Sequence, residues 1–191
     1  ANLEFFNGIP GTLGGALQMN AGAYDFEIKD ILLDVDALDR FGNLHRAGVK
    51  DLQYNYRKCN APEDWIFTSA RLKGKTDNPK TIAARMRQAA SVREKAQPVR
   101  ERTGGSTFKN PPNQKAWKLI EVSGCRGLRR GGAQVSNSHC NFLINRGSAT
   151  AEDLESLGED VRARVKKETG ILLEWEIVRI GKNLSKDHQD E

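Results

Sequence analysis

The stretch GGSTFKNP, from Gly104 to Pro111, places a serine hydroxyl directly after two glycines and three residues before a lysine. Glycine lets a backbone approach a ligand closely, so the hydroxyl of Ser106 could be brought next to a reacting group. A positive charge on Lys109 could then stabilise negative charge that develops on the serine oxygen. A serine after Gly-Gly is, however, usually a turn residue. The stretch alone therefore leaves open whether Ser106 takes part in chemistry.

Two carboxylates share one face of a predicted strand near the end of the chain. The alternation over residues 171–181, ILLEWEIVRIG, predicts a strand with Leu173 and Trp175 on one side. Glu174 and Glu176 then lie on the other side, together with three aliphatic residues. A glutamate buried on such a face tends to keep its proton and could serve as an acid. The pattern alone favours the simpler interpretation, an edge strand whose glutamates are solvated.

A glycine-rich loop could bind phosphate groups. Five of the 18 glycines fall between Gly8 and Ala23, in GIPGTLGGALQMNAGA. Successive backbone N–H groups in such a loop can form a concavity that binds anions. The spacing is not GxGxxG, so a Rossmann nucleotide site is not supported, and a plain cluster of turns explains the glycines equally well. A Walker loop at LKGKTDN is excluded because Ser69 stands where that motif needs glycine.

The composition limits the classes of partner. The 191 residues carry a net charge of +5, which suits a phosphorylated or carboxylated ligand and also weak nucleic-acid binding. A nucleic-acid-binding module, suggested by RGLRRGG, is the alternative from another class, but it lacks a recognised motif and aromatic residues on a basic strand. The sequence has no apolar run long enough to cross a membrane and no signal-peptide pattern. We therefore expect neither a membrane nor a nucleic-acid partner.

The cysteines and histidines do not form a metal-ligand pattern. Cys59, Cys125 and Cys140 are scattered and odd in number, and the sequence contains no CxxC pair. The three histidines are also widely separated. We therefore expect neither a metal site nor a disulfide framework. We expect the protein to be cytoplasmic.

Hydrophobic patterns in the first half predict three strands and a helix. The strand over residues 31–37 has four residues on its inner face: Ile31, Leu33, Val35 and Ala37. Further strands are predicted at residues 44–47 and 64–74. A helix follows, capped by Asn78, and it ends before Pro98.

The second half predicts two helices around a buried strand. A short helix is expected over residues 114–124 and a strand over residues 140–145. The clearest helix begins after Thr150, with Asp153 in the capping-box position, and stops at Gly170.

The order of these elements predicts an α+β fold in two domains. The basic, glycine-broken stretch after Pro98 marks a junction, so the domains are expected at residues 1–97 and 98–184. Residues 185–191 are polar and predicted to be disordered. Because a glycine loop follows the first residue so soon, we expect the chain to be the C-terminal part of a longer protein.

Six stretches, in order and over nearly the whole chain, resemble one family, the UDP-N-acetylenolpyruvoylglucosamine reductases, also called UDP-N-acetylmuramate dehydrogenases. They are GIPGTLGGALQMNAGAY, YNYR, QPVRERTGGSTFKNP, GCRGLRRGGAQVSNSHCNFLIN, GSATAEDLESLGEDVRARV and LEWEIVRIG. The resemblance implies a flavoenzyme of bacterial peptidoglycan precursor synthesis. In this family NADPH reduces FAD, and the reduced flavin passes a hydride to the enolpyruvyl group of a UDP-sugar.

The resemblance also implies a role for each part of the chain. Residues 1–97 would be the C-terminal part of an FAD-binding α+β domain, and residues 98–184 a smaller α+β substrate-binding domain. The family's N-terminal domain would precede them. No insertion places an additional tyrosine between Arg57 and Gly104, so the chain resembles the shorter-loop group.

Residue roles follow from the same resemblance. Arg57 and Glu176 would stabilise the enolate, and Ser106 would donate the proton. The flavin contacts would be Gly8, Ile9, Pro10, Gly11, Gly14, Gly15, Asn20, Ala21, Gly22 and Ala23. The uridine diphosphate contacts would be Lys109, Asn110, Gln134, His139 and Asn141. The family usually has glycine where this chain has Asp25, which puts flavin contacts beside Tyr24 in question.

Two alternatives stay open. One is a different FAD oxidoreductase on a related flavin-binding scaffold, against which GGSTFKNP and LEWE argue. The other is that these 191 residues alone are inert and bind flavin poorly, because half of the flavin site is missing.

Overall fold

The computed structural model describes residues 1–181, so the predicted tail 185–191 lies outside the described residues. The chain combines helices with antiparallel sheets, which confirms the α+β prediction. It divides into two compact units, Ala1–Arg93 and Glu94–Glu191, and each is described by itself below. The division falls four residues before the junction that the sequence suggested.

A three-stranded antiparallel sheet forms the centre of the first unit. Its order is β4–β3–β5, and the elements of the unit are α1 (Leu13–Gln18), β1 (Gly22–Ala23), β2 (Phe26–Glu27), β3 (Leu32–Leu38), β4 (Leu44–Gly48), α2 (Val49–Leu52), β5 (Ile66–Leu72) and the start of α3 (Pro79–Ala96). Leu17, Ile28 and Val35 are buried in its core. The side chain of Asn78 accepts from the N–H of Lys80 at 2.9 Å, so it caps α3 as predicted.

The inner face of β3 differs from its prediction at one position. The pairing of β3 with β5 shifts register between Leu32 and Asp34. Such a bulge reverses the alternation locally, so Leu32 is buried whereas 51% of Leu33 is exposed. The prediction that Leu33 faces the core is therefore wrong, because the bulge turns it to solvent.

A tight hairpin joins β1 to β2. Its two turn residues, Tyr24 and Asp25, both have left-handed backbones, with φ of 54° and 63°. Two-residue hairpin loops favour this conformation because it matches the twist of the strands. Asp25 adopts it in place of the expected glycine, and aspartate tolerates it better than most residues. Gly22 is needed in the hairpin, since a Cβ there would lie 2.4 Å from the carbonyl oxygen of Phe26.

The second unit is a four-stranded antiparallel sheet packed against two helices. Its order is β6–β9–β8–β7, and its elements are β6 (Thr103–Ser106), α4 (Ala116–Val122), β7 (Arg129–Arg130), β8 (Ala133–Val135), β9 (Phe142–Asn145) and α5 (Ala151–Thr169). Helix α5 buries Leu157, Val161 and Val165 against a core that includes Phe108 and Leu173. The helices and the strand predicted in this half are thereby confirmed.

One carboxylate joins the start of α5 to the β7–β8 hairpin. Asp153 accepts from the N–H of Thr150 at 3.0 Å, which completes the predicted capping box. It also accepts from the N–H of Gly132 at 3.3 Å. A Cβ on Gly131 would lie 2.2 Å from its carboxyl oxygen, so glycine is required at that position.

The segment after α5 is not the strand that its alternation predicts. Within the described residues, the segment forms an isolated antiparallel bridge between Trp175 and Phe108. Main-chain hydrogen bonds on either side of it join residues 174–176 to residues 107–109. Leu173 is buried and Leu172 exposed, so the alternation of burial is real without a regular strand. The prediction of a strand over residues 171–181 is therefore wrong beyond this bridge, because the ladder does not continue.

Trp175 lies against α5 at a helical glycine. A Cβ on Gly158 would lie 2.0 Å from the indole ring, so a glycine at this position leaves room for the ring against the helix. The indole N–H donates to the carboxylate of Glu159 at 2.9 Å, and the ring packs on Phe108 with centroids 4.9 Å apart. These contacts hold residues 174–176 next to the loop that follows β6.

Within residues 1–181, none of the helices is both long enough and apolar enough to cross a lipid bilayer.

Candidate active site

Ser106 ends β6, where the sheet gives way to a loop. It pairs with Phe142 of β9, and the next residue, Thr107, donates its N–H to the carbonyl of Asn141 at 2.8 Å. Gly105 has φ of 89°, a conformation that glycine adopts readily, so the strand can turn just before the serine. Ser106 is half-buried, and its strand lies at the edge of the sheet, paired with β9.

Main-chain pairing brings Glu176 to the loop that carries Ser106. The N–H of Glu176 donates to the carbonyl of Thr107 at 2.8 Å. Two residues away, the N–H of Lys109 donates to the carbonyl of Glu174 at 2.9 Å. Backbone bonds therefore place residue 176 beside residue 107, immediately after the serine.

The structure distinguishes the two glutamates that the pattern treated alike. The side chain of Glu174 is 72% exposed and forms an ion pair with Lys109. Glu176 is half-buried. The solvated interpretation therefore describes Glu174, and Glu176 is the more enclosed carboxylate.

The ion pair bears on the role suggested for Lys109. Its side chain is one-quarter exposed, and its ammonium group pairs with Glu174. Any stabilisation of negative charge on Ser106 would compete with that carboxylate. The suggested role of Lys109 stays a prediction.

Asn141 holds the loop in place from β9. It is 4% exposed, and its amide oxygen accepts from the N–H of Phe108 at 3.0 Å. Its amide nitrogen donates to the carbonyl of the same residue at 2.8 Å. Because the side chain satisfies both main-chain polar groups of one residue, it fixes the backbone two residues after Ser106.

The remaining predicted substrate contacts lie in the same unit. The amide oxygen of Asn110 accepts from the N–H of Ala116 at 3.0 Å, at the start of α4. Gln134 is 7% exposed and lines a cavity of about 220 Å³ together with Ser136, Asn137 and Ser138. Hydroxyl and amide groups thus border this hollow.

His139 is held in an aromatic environment. Its Nδ1 accepts from the N–H of Asn141 at 3.4 Å, so Nε2 carries the proton of the neutral ring. The imidazole meets Phe142 edge to face, with centroids 4.8 Å apart. Burial lowers the pKa of His139 below its ordinary value of 6.5, although a backbone hydrogen bond partly opposes this effect. The side chain is therefore a neutral hydrogen-bond donor near pH 7.

Arg57 lies at the tip of a tight turn in the first unit. Asn55 and Lys58 exchange main-chain hydrogen bonds of 2.9 and 3.1 Å, and Arg57 has φ of 53°. Its side chain is 18% exposed and donates to the carbonyl of Gly22 at 3.3 Å. Glu27 Oε1 lies 4.0 Å from Arg57 Nη1. Sequence reasoning missed Glu27, because no spacing in the sequence links it to residue 57.

The glycine loop has an exposed outer part. Gly8 and Gly11 have φ of 82° and 116° and are exposed, and a Cβ on Gly11 would meet no described atom within 4 Å. The exposure of the other predicted flavin contacts is graded: Pro10 and Gly15 are exposed, Ile9, Gly14, Ala21, Gly22 and Ala23 are half-buried, and Asn20 is 0% exposed. Arg57 and this loop belong to the first unit, whereas Ser106 and Glu176 belong to the second.

The cysteines are three buried free thiols. Burial raises the pKa of Cys125 and of Cys140, which keeps these thiols protonated and unreactive. Within residues 1–181, His, Cys, Asp and Glu side chains form no group that could hold a metal ion.

Comparison with known proteins connects both units to one family. Residues 97–180 match the family model described as UDP-N-acetylenolpyruvoylglucosamine reductase, C-terminal domain. The reductase of Parvibaculum lavamentivorans is 58% identical over 95% of this chain and 58% of its own length. That of Paramagnetospirillum magneticum is 59% identical over 95% of this chain and 59% of its own length.

A solved structure gives the same result. The crystal structure of UDP-N-acetylenolpyruvylglucosamine reductase from Thermus caldophilus matches with a TM-score of 0.82 and 38% identity, over 93% of this chain and 64% of that one. The chain thus spans a little under three-fifths of the length of these curated relatives. Over the part that it spans, the chain is therefore similar to the UDP-N-acetylenolpyruvoylglucosamine reductases.

Proposed function

We propose that this chain works as part of an NADPH-dependent flavoenzyme that reduces UDP-N-acetylglucosamine enolpyruvate to UDP-N-acetylmuramate, in peptidoglycan precursor synthesis. The names of its relatives support the reaction. The observation that carries the proposal is the hydrogen bond from the N–H of Glu176 to the carbonyl of Thr107, at 2.8 Å. It joins the proposed acid to the loop of the proposed proton donor.

The substrate determines what the site must supply. It is an enol ether that carries a carboxylate, and hydride adds to its outer vinyl carbon. The electron pair of the double bond then moves to the inner carbon and spreads into the carboxylate. The site needs a positive or acidic group at the carboxylate and a proton donor at the inner carbon.

Arg57 and Glu176 are proposed to stabilise the enolate. A guanidinium is permanently charged and can donate two parallel hydrogen bonds to a carboxylate. The carbonyl oxygen of Gly22 accepts a hydrogen bond from the guanidinium of Arg57 and so orients it. Glu176, the more enclosed of the two glutamates, is the proposed partner acid beside the same carboxylate.

Ser106 is proposed to protonate the inner carbon. Its hydroxyl is a weak acid, so the alkoxide that remains must be stabilised or reprotonated at once. Asn141 supports the geometry, because its two bonds to Phe108 fix the loop. Lys109 supplies positive charge nearby and shares it with Glu174.

The exposed part of the glycine loop is proposed to bind a flavin dinucleotide. A cofactor can approach the backbone at Gly11, because a Cβ there would face open space among the described atoms. We propose that Gly8, Ile9, Pro10, Gly11, Gly14, Gly15, Ala21, Gly22 and Ala23 hold FAD. The side chain of Asn20 is not among these contacts, because it is fully buried and its amide is bonded within the protein. When bound, FAD takes electrons from NADPH and supplies the hydride.

The second unit is proposed to bind the uridine diphosphate through Lys109, Asn110, Gln134, His139 and Asn141. Because His139 is neutral near pH 7, it would contribute a hydrogen bond rather than charge. Lys109 is then the cation of this set. Cytoplasmic location stays a prediction.

The test uses the natural gene product, purified and loaded with FAD. NADPH oxidation is followed without oxygen in the presence of the enolpyruvyl sugar nucleotide, and UDP-N-acetylglucosamine, which lacks the vinyl group, is the matched control. We expect oxidation equal in amount to the enolpyruvyl compound and none with the control. Oxidation that ignores the vinyl group would exclude this function.

A further inference from the structure

Asn20 connects three segments from a fully buried position. It is 0% exposed, and its amide nitrogen donates to Glu27 Oε2 at 2.9 Å and to the carbonyl of Asn55 at 3.0 Å. Its amide oxygen accepts from the N–H of Lys29 at 3.3 Å. A buried amide with bonds at both ends fixes the groups it touches, because breaking any bond leaves a polar atom without water.

Two of these bonds converge on Arg57. The carbonyl of Asn55 belongs to the base of the turn whose tip is Arg57, so Asn20 holds that base. The carboxylate of Glu27, which Asn20 also holds, lies 4.0 Å from the guanidinium. The main-chain carbonyl of Asn20 itself accepts from Arg57 Nη1 at 3.5 Å.

We propose that Asn20 is a positioning residue for Arg57 and that Glu27 acts with it. Arg57 occupies a left-handed backbone position that a side chain other than glycine adopts only when its surroundings impose it. The bonds from Asn20 to the base of the turn, to the neighbouring carboxylate and to the guanidinium supply that constraint. This role differs from the flavin contact that the family resemblance implies for Asn20.

The consequence for activity rests on the proposed function. Catalytic power depends on groups that are already in place when charge develops on the substrate. If Arg57 binds the carboxylate of the enolate, a loose turn weakens the stabilisation of the transition state for substrate reduction. It leaves flavin reduction by NADPH unaffected. The effect therefore separates the two halves of the catalytic cycle.

The experiment compares three variants of the natural gene product. Asn20→Ala removes the amide. Glu27→Ala removes the half-buried carboxylate that Asn20 holds, together with its ion pair to Lys29, and so gives the same test should Asn20→Ala not fold. Lys29→Met is the matched control, because it deletes the other ion-pair partner of Glu27 at 2.6 Å and leaves the bonds of Asn20 intact.

Three quantities are measured on each variant: hydrogen exchange at the amides of Asn55 and Lys58, flavin content, and the two half-reactions. For Asn20→Ala we expect exchange at least about tenfold faster and substrate reduction about 10- to 100-fold slower. For Glu27→Ala we expect changes of about three- to tenfold in the same direction. Flavin content, flavin reduction by NADPH and all properties of Lys29→Met should stay as in the wild type.

Unchanged exchange at the turn would overturn the proposal, whatever the activity. Loss of flavin with normal substrate reduction in the remaining holoenzyme would also overturn it, and would make Asn20 a direct cofactor contact. If the wild type does not reduce the enolpyruvyl compound, the proposed function fails. Faster exchange in Asn20→Ala would still support the positioning of Arg57.

Discussion

The N–H of Glu176 donates to the carbonyl of Thr107 at 2.8 Å, immediately after Ser106. The contact uses main-chain atoms only, so substitutions of the side chains at 106, 174 and 176 leave it intact. Each proposed catalytic side chain can therefore be removed without separating the segments that carry it. This property makes variants at these positions direct tests of chemistry.

Replacing Ser106 with alanine should remove the proposed proton donor. We expect substrate reduction to slow by at least about 10²-fold, the scale seen when one transition-state donor is lost. Flavin binding and flavin reduction by NADPH should be largely unaffected. Stopped-flow measurement of each half-reaction checks this, with the exposed Ser148→Ala as the control. Unchanged turnover would remove Ser106 from the mechanism.

The two glutamates should respond differently to the loss of charge. Glu176→Gln should slow substrate reduction by about 10²-fold, because the proposed acid is lost. Glu174→Gln should change it by no more than about threefold, since the side chain of Glu174 is 72% exposed. The kcat values of the two variants, measured side by side, test the assignment. A larger loss in Glu174→Gln would reverse it.

Gly158→Ala should destabilise the second unit. Alanine normally favours a helix by about 1 kcal/mol over glycine. Here its Cβ would lie 2.0 Å from the ring of Trp175, and overpacking of this kind costs about 1–3 kcal/mol or more. Because a contact of 2.0 Å lies at the severe end of this range, we expect a net loss of about 2 kcal/mol in the free energy of unfolding, measured by urea denaturation.

Two further variants decide the cause. Ser156→Ala, on the same helix, should stay within about 0.5 kcal/mol of the wild type. In a Trp175→Leu background the penalty of Gly158→Ala should shrink, because the clashing ring is gone. An equal penalty in both backgrounds would show that the indole is not responsible.

His139 should make stability depend on pH. Its pKa in the folded chain is lowered below 6.5, chiefly by burial, so the unfolded chain takes up a proton more readily. The contribution is fully present above about pH 6.5 and is lost as the pH falls through the lower, folded pKa. We expect His139→Gln to lose less stability than the wild type between about pH 7.5 and about pH 5.5 in urea denaturation. An equal loss of stability in the variant and in the wild type would contradict this role of His139.

Local signals in the sequence were sufficient for most of the elements. Helix α5 follows from Thr150, Asp153 and Gly170, which act on their own neighbours in the chain. Leu33 was wrongly predicted to face the core because the bulge beside it depends on the pairing of β3 with β5. The sequence of β3 alone does not specify that pairing. Residues 171–181 carry the alternation of a strand, but the pairing partner extends only over residues 107–109.

The candidate site depends still more on tertiary contacts. Periodicity could not separate Glu174 from Glu176, because the difference arises from the ion pair with Lys109. Asn20 and Asn141 appear in motifs as polar residues, and their burial emerges only when other segments close over them. The roles of Arg57, Ser106 and Glu176 come from the family resemblance and stay predictions.

A single carboxylate, that of Asp153, links the start of a helix to a hairpin. The same carboxylate receives the N–H of Thr150 and that of Gly132, and these bonds lower its pKa. Fraying of the first helical turn would therefore also break a hydrogen bond to the β7–β8 hairpin. Strong acid, by protonating this single group, would weaken both contacts together.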